Sequence, residues 1–167
     1  MTSLSPNRRI ALVAAAVFAL DQLTKWAVLN YLAFADEKII VPGFFKFVHW
    51  INTGAAWSLF TGNNGVLAVI ALAALVVLYF TRHHFGAGTS LGQLALGLIF
   101  GGICGNLFDR LLPSRHHVVD FLYFFVQTGG REHGFPAFNL ADSGICVGVG
   151  LIFLLNWKKE TPPASQV

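Results

Sequence analysis

Four long apolar stretches, separated by more polar segments, organise the chain. They predict helices near residues 10–32, 66–80, 91–110 and 138–157. The hydrocarbon core of a bilayer is about 30 Å thick and takes about 20 helical residues, so each stretch predicts one membrane crossing. The pattern therefore predicts an all-α membrane protein in which residues 1–167 form a single membrane-embedded domain, with long loops at 33–65 and 111–137.

The composition agrees with a membrane protein. Hydrophobic residues make up 55% of the chain and charged residues 11%, which is too little charge to cover a soluble domain. The net charge of +3 comes mostly from basic residues at the ends of spans, so we predict no nucleic-acid partner. These residues are densest near the chain ends and between the second and third spans. We therefore expect both termini in the cytoplasm and the two long loops outside.

The start of the chain also resembles a secretory signal peptide, because Arg8 and Arg9 precede an apolar run. The apolar segment continues past Asp21 and Lys25, however, and three more predicted spans follow. We therefore interpret this segment as the first crossing.

Three of the four predicted spans carry polar side chains at a similar depth, near the outer interface. Each charge inside a membrane costs from about 2.5 to well over 10 kcal/mol, so such groups face an interior or a wet cavity. One interpretation is that they are buried polar pairs that hold the helices together, as Asp21 and Lys25 could at i and i+4. Their convergence at one depth favours a functional site. The set consists of Asp21 and Lys25 in the first span, Asn106, Asp109 and Arg110 in the third, and Asn139 and Asp142 in the fourth.

Glycines recur at every fourth position along two of these spans. Gly97, Gly101 and Gly105 do so in the third span, and Gly144 and Gly148 in the fourth. Small residues at this spacing let helix backbones approach closely in membranes. We interpret them as packing surfaces.

Several loop segments predict local structure. Ile39 to Val41 and Phe44 to Ile51 are rich in β-branched and aromatic residues, and their separation by Pro42-Gly43 predicts a small hairpin. Gly54 to Phe60 mixes apolar and small residues, which predicts a short helix lying in the interface. In the second outer loop, Gln127 to Gly134 is polar and glycine-rich and is predicted to be a loop.

Asp120 lies in an apolar run of the second outer loop, between Val119 and Phe121. Poor solvation should raise the pKa of its carboxyl group unless a cation compensates. Asp120 and Asp142 can meet at the outer interface, and two like charges close together share one proton, as in aspartic proteases. The ionised member would then take a proton from an attacking water while the neutral member hydrogen-bonds the carbonyl oxygen.

Other chemistries lack support in the sequence. His116 and His117 precede Asp120, but their spacing fits no standard zinc pattern, so we predict no metal and no cofactor. No GxSxG motif is present, and Cys104 and Cys146 fall in apolar spans without a nearby histidine. Serine and cysteine nucleophiles are therefore unsupported.

Five sequence blocks, in order and over nearly the full length, resemble the motifs of one family, the bacterial lipoprotein signal peptidases or signal peptidases II. The resemblance implies an aspartyl endopeptidase of the bacterial inner membrane. Such an enzyme cleaves the signal peptide from a prolipoprotein just before the cysteine that carries a diacylglyceryl group. The chain departs from the family's pattern at Ile103-Cys104 and in the long segment from Gln127 to Gly134. The blocks are DQLTK (Asp21–Lys25), NTGAAW (Asn52–Trp57), GGICGNLFDR (Gly101–Arg110), VVDF (Val118–Phe121) and FNLADS (Phe138–Ser143).

The resemblance also implies roles for individual residues and for partners. Asp120 and Asp142 match the catalytic positions, and the first outer loop resembles the family's β-cradle with its interfacial helix. The implied partners are a prolipoprotein with a diacylglyceryl-cysteine and membrane lipids, and the active site would lie near the periplasmic face. We expect a monomer. The supporting residues implied are Asp21, Lys25, Asn52, Gly54, Asn106, Arg110 and Asn139.

Two other functions compete with the peptidase. A small transporter or channel could relay ions through the charged residues of the spans, but it would need polar groups through the full membrane depth. The inner halves of the predicted spans are nearly free of charge. A membrane scaffold could use the same polar residues for helix association alone.

Overall fold

The computed structural model describes residues 4–54 and 60–157. Within them, four helices have the length and apolar composition to cross a membrane, which confirms the four predicted spans. The helices are α1 (Pro6–Tyr31), α2 (Asn64–Thr81), α3 (Ser90–Leu111) and α4 (Leu140–Trp157). The strands are β1 (Glu37–Val41), β2 (Phe45–Asn52), β3 (Val118–Thr128) and β4 (Arg131–Gly134).

Helix α3 is the most buried of the four and packs against α1 and α4. A side chain at Gly101 would place its Cβ 2.6 Å from the Ala14 carbonyl oxygen of α1. At Gly148 of α4 the Cβ would lie 2.7 Å from the Ala95 carbonyl oxygen of α3. Contacts this short require glycine, so the predicted role of the repeated glycines in packing is confirmed.

The strands form one antiparallel sheet in the order β1-β2-β3-β4. The predicted hairpin in the first long loop is confirmed as β1 and β2, with Gly43 at φ +74° in the turn. Strand β2 pairs with β3 from the second long loop, so that Trp50 lies opposite Asp120. The sheet therefore joins the two long loops, whereas the sequence had suggested a β element in the first loop alone.

The prediction of a loop from Gln127 to Gly134 is wrong. Residues at its two ends pair as the β3–β4 hairpin around Gly129 and Gly130, which have φ of +60° and +74°. Two residues with positive φ form the tight turn that suits the twist of a hairpin, and Gly-Gly is among its preferred sequences. The two strands carry polar and exposed residues next to this turn. They therefore lack the alternation of apolar and polar residues that marks a half-buried strand.

Two other predictions differ from the structure in extent. Helix α4 begins at Leu140, two residues after the start predicted near residue 138, so Asn139 lies just before the helix. The predicted interfacial helix between Gly54 and Phe60 falls mainly on residues 55–59, which lie outside the described residues. It therefore stays a prediction.

The segment that enters α4 is tied to β3. Phe138 and Leu122 exchange two backbone hydrogen bonds, with N···O distances of 3.1 and 2.9 Å. This bridge lies two residues after Asp120 and four residues before Asp142. It brings the two predicted catalytic residues to the same place.

Candidate active site

Asn139 and Asp142 form the start of helix α4. The Asp142 N–H donates to Asn139 Oδ1 at 2.9 Å, and the Asn139 N–H donates to Asp142 Oδ2 at 3.3 Å. This reciprocal pair is a capping box with aspartate in place of the usual glutamate or glutamine. The polar residues that interrupt the apolar run therefore satisfy backbone donors that a helix start leaves free.

All four carboxylate oxygens of the aspartate pair accept hydrogen bonds from three asparagines. The three side-chain amides bind three of the oxygens, and the backbone N–H of Asn139 binds the fourth. Asn52 and Asn139 donate to Asp120 Oδ2 and Oδ1 at 2.9 and 2.7 Å. Asn106 donates to Asp142 Oδ1 at 2.7 Å, and the Asn139 N–H supplies the contact to Oδ2. Both aspartates are thus held on two sides.

The orientation of each of these amides is fixed by a second contact. An asparagine side chain has one accepting and one donating end, and in all three cases a donor holds the oxygen. The NH₂ group must then point toward a carboxylate. The donors are the Gly54 N–H for Asn52, the Lys25 ammonium for Asn106 and the Asp142 N–H for Asn139, each at 2.9 Å.

Asp120 is 4% exposed, and its surroundings oppose ionisation. Burial, followed by the nearby charge of Asp142, raises the pKa of the Asp120 carboxyl from 3.8 to about 7. The hydrogen bonds from Asn52 and Asn139 and the more distant Lys25 charge act in the opposite direction but are outweighed. The raised pKa expected from the sequence is confirmed, and it lets the pair keep a proton near neutral pH.

Lys25 is fully buried and lies among three oxygens. Its Nζ is 2.8 Å from Asp21 Oδ2, 2.6 Å from Asp109 Oδ2 and 2.9 Å from Asn106 Oδ1. The predicted pair between Asp21 and Lys25 is therefore confirmed. Asp21 also accepts the Ala141 N–H at 3.0 Å, which satisfies another free donor at the start of α4.

Asp109 was absent from the supporting residues that the resemblance implied, yet it is fully buried in this network. It also receives hydrogen bonds from Gln22 and Arg115. The sequence did hold a signal for its membership of this network, because Asp109 follows Asn106 by three residues and so lies on the same helix face. Arg115 follows α3 in the loop, where spacing along the sequence gives no indication of a partner.

Arg110 stabilises the chain next to Asn52. It donates to the Gly54 carbonyl oxygen at 2.7 Å and to Asn64 Oδ1 at 3.1 Å, and Asn64 donates back to the Arg110 carbonyl oxygen at 2.8 Å. Since Gly54 in turn fixes the Asn52 amide, Arg110 acts on the pair through the backbone. The structure thus brings together all nine residues singled out from the sequence.

Both aspartates line a cleft of about 980 Å³. Most of its other walls are apolar, which suits a lipid-bearing or hydrophobic ligand. Among the described residues, no group of three histidine, cysteine, aspartate or glutamate side chains could hold a metal ion. The apolar walls include Trp50, Ile51, Phe135, Phe138, Ile145 and Cys146.

A family model described as signal peptidase (SPase) II matches residues 13–158. This chain belongs to the signal peptidase II family. The resemblance drawn from the five motif blocks is thereby confirmed, and the chain is a protease. This membership does not support the transporter or scaffold interpretations.

Lipoprotein signal peptidases of several bacteria are similar to this chain. The lipoprotein signal peptidase of Symbiobacterium thermophilum is 43% identical over 146 residues, covering 87% of this chain and 90% of the relative. That of Bacillus pumilus is 38% identical over 152 residues, covering 89% and 94%. That of Neisseria gonorrhoeae is 37% identical over 161 residues, covering 93% of each chain.

Two solved structures described as bacterial membrane enzymes share this architecture. One superposes with a TM-score of 0.79 at 29% identity and covers 95% of this chain and 93% of its own. The other has a TM-score of 0.71 at 30% identity and covers 89% and 92%. Together with the four apolar helices, they support a signal peptidase II that crosses the membrane several times.

Proposed function

We propose that this protein cleaves the signal peptide from diacylglyceryl-modified prolipoproteins, immediately before the lipidated cysteine, and that Asp120 and Asp142 perform the chemistry. The observation that carries the proposal is a buried aspartate pair, hydrogen-bonded on every oxygen, at one apolar cleft in a signal peptidase II chain.

The two carboxyl groups share one proton in the active form. The ionised member takes a proton from a water, which attacks the carbonyl carbon of the scissile peptide bond. The protonated member hydrogen-bonds the carbonyl oxygen as it gains charge, and a proton then reaches the leaving amine. The pair titrates as a unit, so the shared proton belongs to both residues.

The asparagines prepare this chemistry before substrate arrives. Each carboxylate oxygen accepts one hydrogen bond from the protein, which leaves a second lone pair on each for the proton, the water or the substrate. Because the three amides are held at both ends, the aspartates need no rearrangement as charge develops. Such preorganisation lowers the barrier to the chemical step.

The substrate enters the cleft from the lipid. Ile145 and Cys146 line the cleft on α4, beyond Asp142 in the direction of the span, and offer an apolar surface to the signal peptide and the acyl chains. The aspartates lie where the helix begins, so water reaches them from the outer side. Asp21, Lys25 and Arg110 hold these elements together.

We extend the proposal to topology and assembly. An even number of crossings puts both ends of the chain on one side, and the dense basic residues near those ends favour the cytoplasm of a bacterium, with the active site near the periplasmic face of its inner membrane. The sheet acts as the cradle for substrate, and one chain is sufficient for activity.

Purified protein incubated with a diacylglyceryl-modified precursor tests the proposal. We expect mass spectrometry to show one cut, immediately before the modified cysteine. Asp120→Asn and Asp142→Asn should remain folded but inactive, while Asp36→Asn, which changes an exposed carboxylate in the first outer loop, should cleave normally. Normal turnover by either of the first two variants would refute the assignment of the pair.

A further inference from the structure

Lys46 of β2 contacts residues of each of the other three strands. It is 5% exposed, and its Nζ lies 2.7 Å from Glu37 Oε2 on β1 and 3.1 Å from Glu132 Oε1 on β4. The same ammonium lies 5.2 Å from the Tyr123 ring centroid and 5.0 Å from that of Phe125, both on β3. We call these five residues the Lys46 cluster.

The ion pairs of the Lys46 cluster persist because the Lys46 ammonium keeps its charge. Burial opposes the lysine's charge, but the ion pairs with Glu37 and Glu132 outweigh it and raise the pKa of Lys46 above its ordinary value. The ammonium therefore stays charged at any physiological pH. It holds together two carboxylates on opposite edge strands, which would repel each other without it.

Tyr123 connects the Lys46 cluster to the cleft. Its ring lies 4.9 Å from the Trp50 ring, centroid to centroid, and Trp50 lines the cleft. On its other side, the hydroxyl packs so closely over Gly134 that a Cβ there would overlap it. The next residue, Phe135, is 62% exposed and also lines the cleft. One ring thus contacts Trp50 and the backbone next to Phe135.

Trp50 lies on β2, opposite Asp120, and Phe135 directly follows β4. The same cleft is lined on α4 by Ile145 and Cys146, which lie beyond Asp142 in the span. The signal peptide and acyl chains belong with the lipid. The polypeptide after the cysteine has to leave toward the aqueous side, so it passes the sheet.

We propose that Lys46 is a positioning residue that fixes the spacing of Trp50 and Phe135, and through them binds the substrate residues that follow the lipidated cysteine. This inference rests on the proposed function. Without the ammonium, Glu37 and Glu132 lose their shared partner and Tyr123 loses its cation contact. The β3–β4 hairpin then moves relative to β2, while the aspartates keep their own hydrogen bonds.

Steady-state kinetics on two precursors test this inference. Both carry the diacylglyceryl-cysteine; one continues for about ten residues after it and the other ends at a cysteine amide. We expect Lys46→Met to raise KM for the longer precursor about tenfold, with kcat within about twofold, and to leave the short precursor unaffected. Lys46→Arg, which keeps the charge, should restore KM for the longer one.

Two further variants separate positioning from a general loss of folding. Gly134→Ala changes no charge but forces Tyr123 to move, so it should raise KM for the longer precursor alone. Lys38→Met removes a lysine from β1 that is exposed and makes no ion pair with the described residues, and it should match the wild type. Melting temperatures of all variants report whether each is folded.

The outcomes distinguish this inference from the proposed function. If the wild type cleaves neither precursor, the proposed function is wrong and this inference falls with it. If the wild type cleaves both and the Lys46→Met and Gly134→Ala variants are normal, or are impaired equally on both, the role of Lys46 alone is refuted.

Discussion

Asp120→Asn is expected to stabilise the protein at pH 8 while abolishing turnover. The native state raises the pKa of this carboxyl from 3.8 to about 7, so between these pH values it holds a proton that the unfolded chain releases. The free energy of unfolding therefore falls as pH rises through that window. A shift of about 3 pKa units corresponds to about 4 kcal/mol, all of it lost above pH 7.

The asparagine variant avoids that loss but disturbs the hydrogen bonds. Asp120 accepts from both Asn52 and Asn139, whereas an asparagine offers one oxygen and turns its own NH₂ toward the second donor. Leaving one buried donor without an acceptor costs about 1–3 kcal/mol. The net change is then a gain of about 1–3 kcal/mol at pH 8 and a loss of about 1–3 kcal/mol at pH 4, where wild-type Asp120 carries its proton.

Thermal unfolding in detergent, followed by tryptophan fluorescence from pH 4 to pH 8, measures this change. Each kcal/mol moves Tm by about 2–4 °C in a protein of this size. Plots of Tm against pH for Asp120→Asn and wild type should therefore cross between pH 4 and pH 8. Asp36→Asn, at an exposed position, controls for the loss of a carboxylate. A Tm difference between Asp120→Asn and wild type that does not vary with pH would refute the reasoning.

Two other predictions concern the buried charges and the shared proton. Asp21→Ala should lower the free energy of unfolding by about 3–5 kcal/mol, because it breaks a buried pair with Lys25. Melting curves measure this change. A variant with wild-type stability and lost turnover would contradict the prediction. In wild type, kcat/KM should fall above about pH 7 as the pair loses its shared proton and becomes doubly charged. A profile that stays flat from about pH 6 to pH 9 would contradict the shared-proton mechanism.

The parts of the structure that follow from local pattern were predictable. Apolar runs of membrane length fix the helices within a few residues, since the cost of polar groups in lipid leaves little choice. The aspartate pair was also accessible, because Asp120 and Asp142 each interrupt an apolar context that would otherwise exclude a charge. The Pro42-Gly43 turn between two β-prone runs predicted the first hairpin.

The parts that depend on distant partners were not predictable. Lys46 looks like an ordinary solvated lysine in the sequence, and its burial depends on Glu37 and Glu132, which the fold brings in from opposite edges of the sheet. The β3–β4 hairpin was missed because its arms are polar. Asp109 was recognised as part of the polar face of α3, but its ion pair with Lys25 depends on how α1 packs beside it.

The amides that hold the aspartates also limit how this site can change over generations. Asn52, Asn106 and Asn139 each need an acceptor at one end and a donor at the other, at the reach of a short amide. Every asparagine codon is two nucleotide changes away from glutamine, and none of the residues reachable by one change carries an amide. A gene for this enzyme therefore has no single-base route to another amide at these three positions, so an inhibitor that binds against them would meet few tolerable substitutions there.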